Sequence, residues 1–328
     1  MKVSVIMSVY NNQDFVSGAI DSILGQTFND FEFIIINDGS TDETEKIIRR
    51  YQKQDDRIVI ISQENKGLTR SLNIGIDNAK GEYIARQDAD DVSLPQRLKE
   101  QVDFLDNNKV IGFAGSSFEM IDEEGIFINF VYIRNQPKKI ILRLKHSNIF
   151  CHGTMVFRRN LLDKVSGYRE FFRYAQDYDL YLRLITNSLP GSVASFLYKK
   201  RVSLNSISIQ RIELQSAYAE LAKTCHKRIL KGQDDTQLMN ERILSDFKAP
   251  LTGDLILLFM NSLYCVKRNE LEKARLIIRP QLFPISAQKY KIYLLLIFSY
   301  LPKYLRNLLL SVKFNFRKKM LALRLNGK

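Results

Sequence analysis

Cysteine is scarce in this sequence. Three cysteines, Cys151, Cys225 and Cys265, are scattered over 328 residues. They are too few for a disulfide framework, and their spacing does not form a metal-binding knuckle. A reducing compartment is therefore the simplest interpretation.

Long apolar stretches are also missing. The two longest candidates, residues 255–266 and 292–301, are about half the length of a bilayer span. The opening MKVSVIMSVYNN carries no small-residue cleavage site, so we expect a first strand there and no signal peptide. We therefore expect that the protein does not cross a membrane.

The overall composition is that of a folded protein. Hydrophobic residues make up 45% and charged residues 26% of the chain, which excludes a wholly disordered, collagen-like or multispanning protein. The length predicts one large domain with an appendage, or two domains.

The positive charge is concentrated in the last two-fifths of the chain. Residues 1–200 hold 26 Lys and Arg against 27 Asp and Glu, whereas residues 201–328 hold 23 against 9. Such an asymmetry suggests an anionic partner for the C-terminal part, either nucleic acid or a membrane surface.

The first hundred residues alternate between strand and helix patterns. Four short apolar strand patterns end in polar clusters, which read SVYNN, NDGSTD, QENKG and RQDADD. Helical patterns lie between them, and Ser40 and Glu43 have the spacing of a capping box for the second helix. This alternation predicts an α/β fold with a mainly parallel sheet flanked by helices.

Later segments change in character. Long strand patterns around a DEEG turn, residues 110–133, predict a mixed or antiparallel section, and helical patterns follow residue 210. We expect a catalytic domain over residues 1–210, with halves at 1–100 and 101–210, and a helical, basic region over 211–328.

The polar clusters share one predicted edge of the sheet, where α/β folds bind ligands. Asp88, Asp90 and Asp91 can offer oxygen ligands to Mg²⁺ or Mn²⁺, or can form a solvated turn before the next helix. Tyr10 can be an aromatic platform or a core residue, and Asp38 can bind a base or ribose or form a tight turn. Their coincidence at one edge indicates a nucleoside diphosphate site without a Gly-rich phosphate loop.

Four stretches carry a family resemblance. They occur in order within residues 1–210 and read VSVIMSVYNNQDFVSGAIDSILGQTFNDFEFIIINDGSTDET, NKGLTRSLNIGIDNAKGEYIARQDADD, HGTMVFRR and AQDYDLYLRL. Together they resemble the family 2 glycosyltransferases of the GT-A fold, the inverting type that builds bacterial polysaccharides and lipid-linked glycans. The resemblance implies a hexosyl- or N-acetylhexosaminyl-transferase.

The same resemblance assigns roles to residues. It implies that Tyr10 stacks on uracil, that Asp38 binds the base, and that Arg70 and Asp88 line the ribose and phosphate region. It makes Asp90 the ligand of Mn²⁺ or Mg²⁺. The implied donor is a UDP-sugar, and the acceptor is a glycan or a lipid-linked saccharide.

Asp177, in QDYDL, is the implied catalytic base. A single displacement by an acceptor hydroxyl inverts the anomeric centre, and a carboxylate must take the proton of that hydroxyl. From the residues alone, Asp177 and Asp179 can equally be carboxylates that the helix dipole favours at a helix N-terminus.

Two positions depart from the family pattern. Gln176 stands where many members have Glu, and Ser203 stands where many have a histidine in an Arg-x-His-x-x-Ser stretch. We expect metal binding to rest on Asp90 and the diphosphate. His152 remains as a histidine near the site, either structural or in contact with the acceptor.

Residues 303–328 mix apolar and basic side chains at helical intervals. This pattern predicts a helix lying on an anionic membrane surface, or an amphipathic helix packed on the catalytic domain. No nucleic-acid recognition motif accompanies the charge, so nucleic acid is not expected. We expect a cytoplasmic protein, peripheral on the membrane if the first alternative holds.

The sequence leaves three other functions to compare with sugar transfer. A nicotinamide-dependent dehydrogenase would need G-x-G-x-x-G after the first strand, and a nucleotidyltransferase would need a Gly-rich basic loop there. The sequence at this place is SVYNNQDFVSG, which contains neither motif. A catalytically silent nucleotide-sugar-binding or scaffold protein is the remaining alternative, suggested by Gln176 and Ser203.

Overall fold

The described residues build a nine-stranded sheet with helices against it. The structure is a computed structural model and describes residues 1–202 and 211–247. The strands are β1 (Val3–Val9), β2 (Phe31–Asp38), β3 (Ile58–Gln63), β4 (Tyr83–Asp88), β5 (Val92–Ser93), β6 (Ile111–Ile121), β7 (Phe127–Val131), β8 (Val156–Arg158) and β9 (Leu189–Arg201). The helices are α1 (Val16–Leu24), α2 (Thr44–Gln52), α3 (Leu68–Asn78), α4 (Arg97–Asn107), α5 (Pro137–Leu144), α6 (Arg159–Lys164), α7 (Gln176–Leu184), α8 (Ile212–Leu230) and α9 (Glu241–Asp246).

The strand order explains where the sheet changes direction. The strands follow the order β3-β2-β1-β4-β8-β6-β9-β5, and β7 pairs with β6. The first four are parallel to one another. The short strand β8 runs antiparallel between β4 and β6, which makes the second half mixed. The predicted α/β fold and its mixed section after residue 110 are confirmed.

The core forms between the sheet and its helices. All eight residues of β2 are buried, as expected for a parallel strand covered on both faces. In α1 the buried residues are Val16, Ala19, Ile20 and Ile23. This is the i, i+3, i+4, i+7 spacing of a helix with one apolar face.

The capping box predicted at Ser40 and Glu43 is wrong. The helix begins at Thr44, and the oxygen that accepts from its backbone N–H is Asp42 Oδ1, at 3.0 Å. Ser40 Oγ instead accepts from the backbone N–H of Asn11 at 3.1 Å. The serine therefore ties the loop after β1 to the loop after β2.

The first helices beyond residue 210 pack on the base of α7. Tyr218 of α8 lies 5.8 Å, ring to ring, from both Phe172 and Tyr174. Arg169 Nη1 lies 2.6 Å from Asp235 Oδ2. The helical character predicted after residue 210 is confirmed for α8 and α9; the boundary at 210 stays a prediction.

A membrane crossing needs a longer and more apolar helix than any found in the described part of the chain. Ser203 and residues 303–328, about which the sequence makes predictions, lie outside the described residues.

Candidate active site

The carboxyl ends of three neighbouring strands meet at one edge of the sheet. Ser8 of β1 is in register with Asp88 of β4, and Val9 is in register with Asn37 of β2. Tyr10 follows directly and its side chain is 50% exposed. The aromatic ring and the acidic loop after β4 therefore share the edge that the strand patterns predict.

Asp38 shapes the loop before α3. Its Oδ1 accepts from Gln63 Nε2 at 2.7 Å and from the Lys66 backbone N–H at 2.9 Å. Its Oδ2 accepts from the Gly67 backbone N–H at 2.9 Å. These donors fill three of the roughly four acceptor positions of a carboxylate, so Asp38 is mainly a positioning residue here, and its contact with a base stays a prediction.

Arg70 lies in the first turn of α3, directly after that loop. Its side chain is exposed and forms no ion pair with any described residue. The positive end of the helix dipole adds to its charge. This corner of the sheet edge is thus suited to an anionic group.

Asp88 is held as an anion by a buried arginine. Arg86 is 2% exposed, and its Nη2 lies 2.5 Å from Asp88 Oδ1. Burial favours the neutral acid, but the Arg86 guanidinium holds the pKa of Asp88 below its ordinary value. One carboxylate of the acidic loop is therefore charged over the whole physiological range.

Asp91 and Asp90 connect the acidic loop to β9. Asp91 is buried, and its Oδ1 accepts from the backbone N–H of Arg201 at 2.6 Å. The Nε of Arg201 donates to the backbone carbonyl of Asp90 at 2.9 Å. Asp91 therefore ties the acidic loop to β9 through one of its two carboxylate oxygens.

Asp90 carries negative charge that no described residue pairs with. Burial raises the pKa of Asp90 to about 6, and the charge of Asp88 acts in the same direction. Side-chain atoms of Asp88, Asp91 and Cys151 lie within 4.8 Å of one another. Burial raises the pKa of the Cys151 thiol well above its ordinary value, and sulfur is a softer ligand than Mg²⁺ or Mn²⁺ prefers. The other two donors are the carboxylates of Asp88 and Asp91, which suit Mg²⁺ or Mn²⁺. Asp90, the ligand that the resemblance implies, is not part of this group.

Lys200 is a cation that sequence reasoning missed. In β9 it lies two residues beyond Tyr198, on the same face of the strand. The hydroxyl of Tyr198 accepts from the backbone N–H of Asp88 at 3.2 Å. Burial raises the pKa of both Asp90 and Asp177, and the charge of Lys200 opposes that rise in both. One ammonium group therefore acts on both predicted functional carboxylates.

Asp177 is fixed at the start of α7. Ala175, with φ of 52°, turns the chain into the helix through a conformation that costs a non-glycine residue about 1 kcal/mol. Asp177 Oδ1 accepts from the Tyr178 backbone N–H at 2.8 Å, and Oδ2 accepts from Asn148 Nδ2 at 2.7 Å. Burial raises the pKa of Asp177 above its ordinary value. The carboxylate is oriented and half-buried, as a base needs to be.

Asp179 and Gln176 have other environments. Asp179 Oδ2 lies 2.9 Å from Arg183 Nε, and Oδ1 lies 3.6 Å from Arg169 Nη1. Asp179 is therefore a buried structural anion. Gln176, which stands at the position of the family's glutamate, is buried in the first turn of α7.

His152 is enclosed by polar partners inside the protein. Its Nε2 lies 2.7 Å from the hydroxyl of Tyr168 and accepts from Arg86 Nε at 3.3 Å. Burial and the Arg86 charge lower the pKa of His152 to about 3, so the imidazole is neutral. The structural interpretation of this histidine fits these contacts, and the described residues give no support for contact with an acceptor.

Gly153 leaves room for this arrangement. A Cβ atom at Gly153 would overlap the hydroxyl of Tyr198 and lie 2.9 Å from Asp88 Oδ2. We expect Gly153→Ala to lower the free energy of unfolding by roughly 1–3 kcal/mol, because a packed interior yields poorly to added volume. Urea denaturation measures the change. Gly18→Ala is the matched control: nothing lies within 4 Å of a Cβ there, and a loss of stability in both variants would contradict the prediction.

Comparisons with known proteins identify the family of this chain. Residues 4–166 match the family described as "Glycosyl transferase family 2". The O-antigen biosynthesis glycosyltransferase WbnJ of Escherichia coli is 35% identical over 243 residues, which cover 73% of this chain and 92% of WbnJ. The glycosyltransferase MJ1057 of Methanocaldococcus jannaschii is 34% identical over 229 residues, covering 68% of this chain and 79% of that one.

Solved structures show the same fold. TarS residues 1–349 of S. aureus, in complex with UDP, superpose with a TM-score of 0.56 at 17% identity, covering 92% of this chain and 89% of that one. The mannosyltransferase PcManGT of Pyrobaculum calidifontis, in complex with GDP-Man and Mn²⁺, gives 0.54 at 16% identity, covering 89% and 78%. These likenesses confirm the GT-A architecture.

Proposed function

The chain belongs to glycosyl transferase family 2 and is a glycosyltransferase, and we propose that it moves a sugar from a UDP-sugar to a hydroxyl group of a glycan or lipid-linked saccharide, with inversion. One observation carries this proposal. The half-buried carboxylate of Asp177 and the acidic loop that ends β4 are both within the electrostatic reach of Lys200. This shared influence supports a proton acceptor and a diphosphate-binding corner in one site.

The base step follows from the surroundings of Asp177. Asn148 holds one carboxylate oxygen at 2.7 Å, which fixes the direction of the other lone pairs. Burial raises the pKa of Asp177, so that the ionised carboxylate is a stronger base than a solvated aspartate. It takes the proton of the acceptor hydroxyl as that oxygen attacks the anomeric carbon.

The leaving diphosphate needs positive charge. Lys200 supplies one cation from β9, and Arg70 supplies another from the start of α3. Asp90 and Asp88 would hold a divalent ion, Mn²⁺ or Mg²⁺, which when bound stabilises the charge that develops on the diphosphate. The Mn²⁺ complex of the fold neighbour PcManGT supports this choice of cation.

The nucleoside end of the donor fits the opposite part of the sheet edge. The exposed ring of Tyr10 offers a stacking surface for the uracil. Asp38 keeps one acceptor position after its three hydrogen bonds. The UDP complex of the neighbour TarS supports a uridine nucleotide.

A cytoplasmic location belongs to this proposal, since nucleotide sugars are used there. The predicted contact of residues 303–328 with an anionic membrane stays a prediction, because that segment lies outside the described residues.

A donor panel tests the function. Release of UDP is measured for the full chain with UDP-glucose, UDP-galactose, UDP-N-acetylglucosamine and UDP-N-acetylgalactosamine, in Mn²⁺, in Mg²⁺ and in EDTA. GDP-mannose serves as the comparison donor. We expect turnover with at least one UDP-sugar; turnover with GDP-mannose alone would contradict the proposed donor class.

The acid limb of the pH profile is expected to report Asp177. The ionised carboxylate is the active form, so kcat should fall about tenfold per pH unit below the pKa of Asp177, which burial places above 3.8. The hydrogen bond from Asn148 and the charge of Lys200 lower that pKa, and the charge of Asp88 raises it. We therefore expect Lys200→Met to move the acid limb to higher pH.

Lys199→Met is the control for that shift, since Lys199 lies on the opposite face of β9. A pH profile of kcat for each protein makes the comparison. If Lys199→Met moves the acid limb as far as Lys200→Met, Lys200 has no specific influence on the base.

A further inference from the structure

One face of α5 is strongly basic and exposed. Lys138, Lys139, Arg143 and Lys145 project from it, around Leu142, which is 60% exposed. We call these five residues the basic face of α5. None of its four cations forms an ion pair with any residue in the described ranges.

The opposite side of α5 fixes its orientation. Ile140 and Leu144 are 2% and 0% exposed, and they lie four residues apart on the inner side of the helix. The hydroxyl of Tyr178 donates to the carbonyl oxygen of Leu144 at 2.5 Å. The helix is thus packed firmly, with its basic face turned away from the protein.

The basic face is a local feature of the chain. Residues 125–162 contain seven Lys and Arg and no Asp or Glu. Residues 1–200 as a whole contain 26 Lys and Arg against 27 Asp and Glu. The positive charge here therefore creates a patch on an otherwise balanced domain.

Charge narrows the choice of partner. Residues 248–328 carry 16 Lys and Arg against three Asp and Glu, and a second copy of the chain carries a net charge of +13. Neither complements a basic surface. A polyanionic partner complements it, such as a lipid surface or a nucleic acid.

The exposed leucine distinguishes these two. Leu142 lies among the cations of the basic face. The phosphate backbone of a nucleic acid would offer this leucine no apolar contact. At a bilayer the leucine can enter the boundary between headgroups and acyl chains while the cations stay among the headgroups. We propose that the basic face of α5 docks on the surface of an anionic lipid bilayer.

This docking would place the site beside the membrane. Asn148, four residues beyond Leu144, holds the carboxylate of Asp177 at 2.7 Å. Asp177 is therefore close to the docked helix, and an acceptor anchored in the bilayer could reach it without leaving the surface.

Vesicle sedimentation tests the proposal with the full chain. The vesicles contain phosphatidylcholine alone or with 30% phosphatidylglycerol, and no substrate is present. We expect binding to the anionic vesicles only. The triple variant Lys138→Glu, Lys139→Glu, Lys145→Glu should reduce the partition coefficient at least tenfold, since each cation near an anionic leaflet contributes about fivefold.

A matched control has the same change in charge. Lys53→Glu, Lys80→Glu and Lys164→Glu alter three exposed lysines that form no ion pair with a described residue. We expect this triple to reduce partitioning less than about threefold, through long-range charge alone. Calorimetry of UDP binding checks that both triples keep the donor site folded.

The single change Leu142→Asn leaves the charge unaltered and removes the apolar contact. It should weaken partitioning about threefold or more. This variant tests the docking surface if the α5 triple fails to fold. Equal losses in the two triples, no binding of the unaltered protein, or unchanged binding of the α5 triple would overturn the proposal.

A competing arm uses single-stranded RNA in place of vesicles. If the α5 triple loses RNA binding and keeps vesicle binding, the partner is nucleic acid and the lipid proposal fails. Because the vesicle assay contains no sugar donor, failure of the proposed sugar transfer would leave its result unchanged.

Discussion

Asp177→Asn should lose about 10²- to 10⁴-fold in kcat, the range that a general base contributes. An amide has the size of the carboxylate but takes up no proton, so the acceptor hydroxyl would attack without assistance. Transfer is followed by UDP release with saturating donor and acceptor. UDP affinity, measured by calorimetry, should stay within about twofold, because Asp177 acts on the acceptor.

The comparison that isolates the base is Asp163→Asn, at an exposed aspartate just before the end of α6. It removes the same charge and should keep normal turnover. If Asp177→Asn turns over as fast as this control, Asp177 is a helix-terminal carboxylate and another residue is the base.

Asp90→Asn should lose about 100-fold in kcat/KM, since the leaving diphosphate would lack a stabilising charge worth several kcal/mol. Burial together with the charge of Asp88 raises the pKa of Asp90 to about 6, and a nearby cation would stabilise the ionised form. Calorimetry of UDP binding gives a readout besides turnover. In the unaltered protein Mn²⁺ should strengthen UDP binding relative to EDTA, and in Asp90→Asn this difference should disappear.

Asp14→Asn, at an exposed position in the loop after β1, is the control for this loss of charge. It should show the same Mn²⁺ effect on UDP binding as the unaltered protein. An unchanged Mn²⁺ effect in Asp90→Asn would remove Asp90 from metal binding.

The parts of the site that sequence predicts best are those that follow from local patterns. Short apolar runs predict β1, β2 and β4, and in a parallel sheet their carboxyl ends must share an edge. This places Tyr10, Asp38 and Asp88 at one edge before any coordinates are known. The order of the elements, in other words, already determines the neighbourhood of these side chains.

Contacts between distant strands could not be predicted in this way. The pairing of β5 with β9 brings Arg201 to Asp91 across 110 residues of sequence. No local sequence pattern determines how β9 pairs with its neighbours. A bulge between Ser117 and Phe118 also shifts the register between β6 and β9. Lys200 therefore looked like one more basic residue in the sequence, although it shares a face with Tyr198.

Competition between hydrogen-bond partners is the other source of error. Ser40 and Glu43 have the spacing of a capping box, but Asn11 captures the serine hydroxyl. Asp38 looked available for a ligand, and the backbone of Lys66 and Gly67 uses most of its oxygens. Such outcomes depend on which donor lies nearest in space.

The ion pair between Arg169 and Asp235 has a consequence for shortened or chimeric forms of the protein. Without residues 211–247, Arg169 would keep only its 3.6 Å contact with Asp179, and the rings of Phe172 and Tyr174 would lose Tyr218. Tyr174 and Asp179 lie three and two residues from Asp177, and Phe172 lies five residues before it. A chimera that exchanges the N-terminal 210 residues between relatives should therefore also include α8 and α9, because their contacts hold the segment before Asp177 in place.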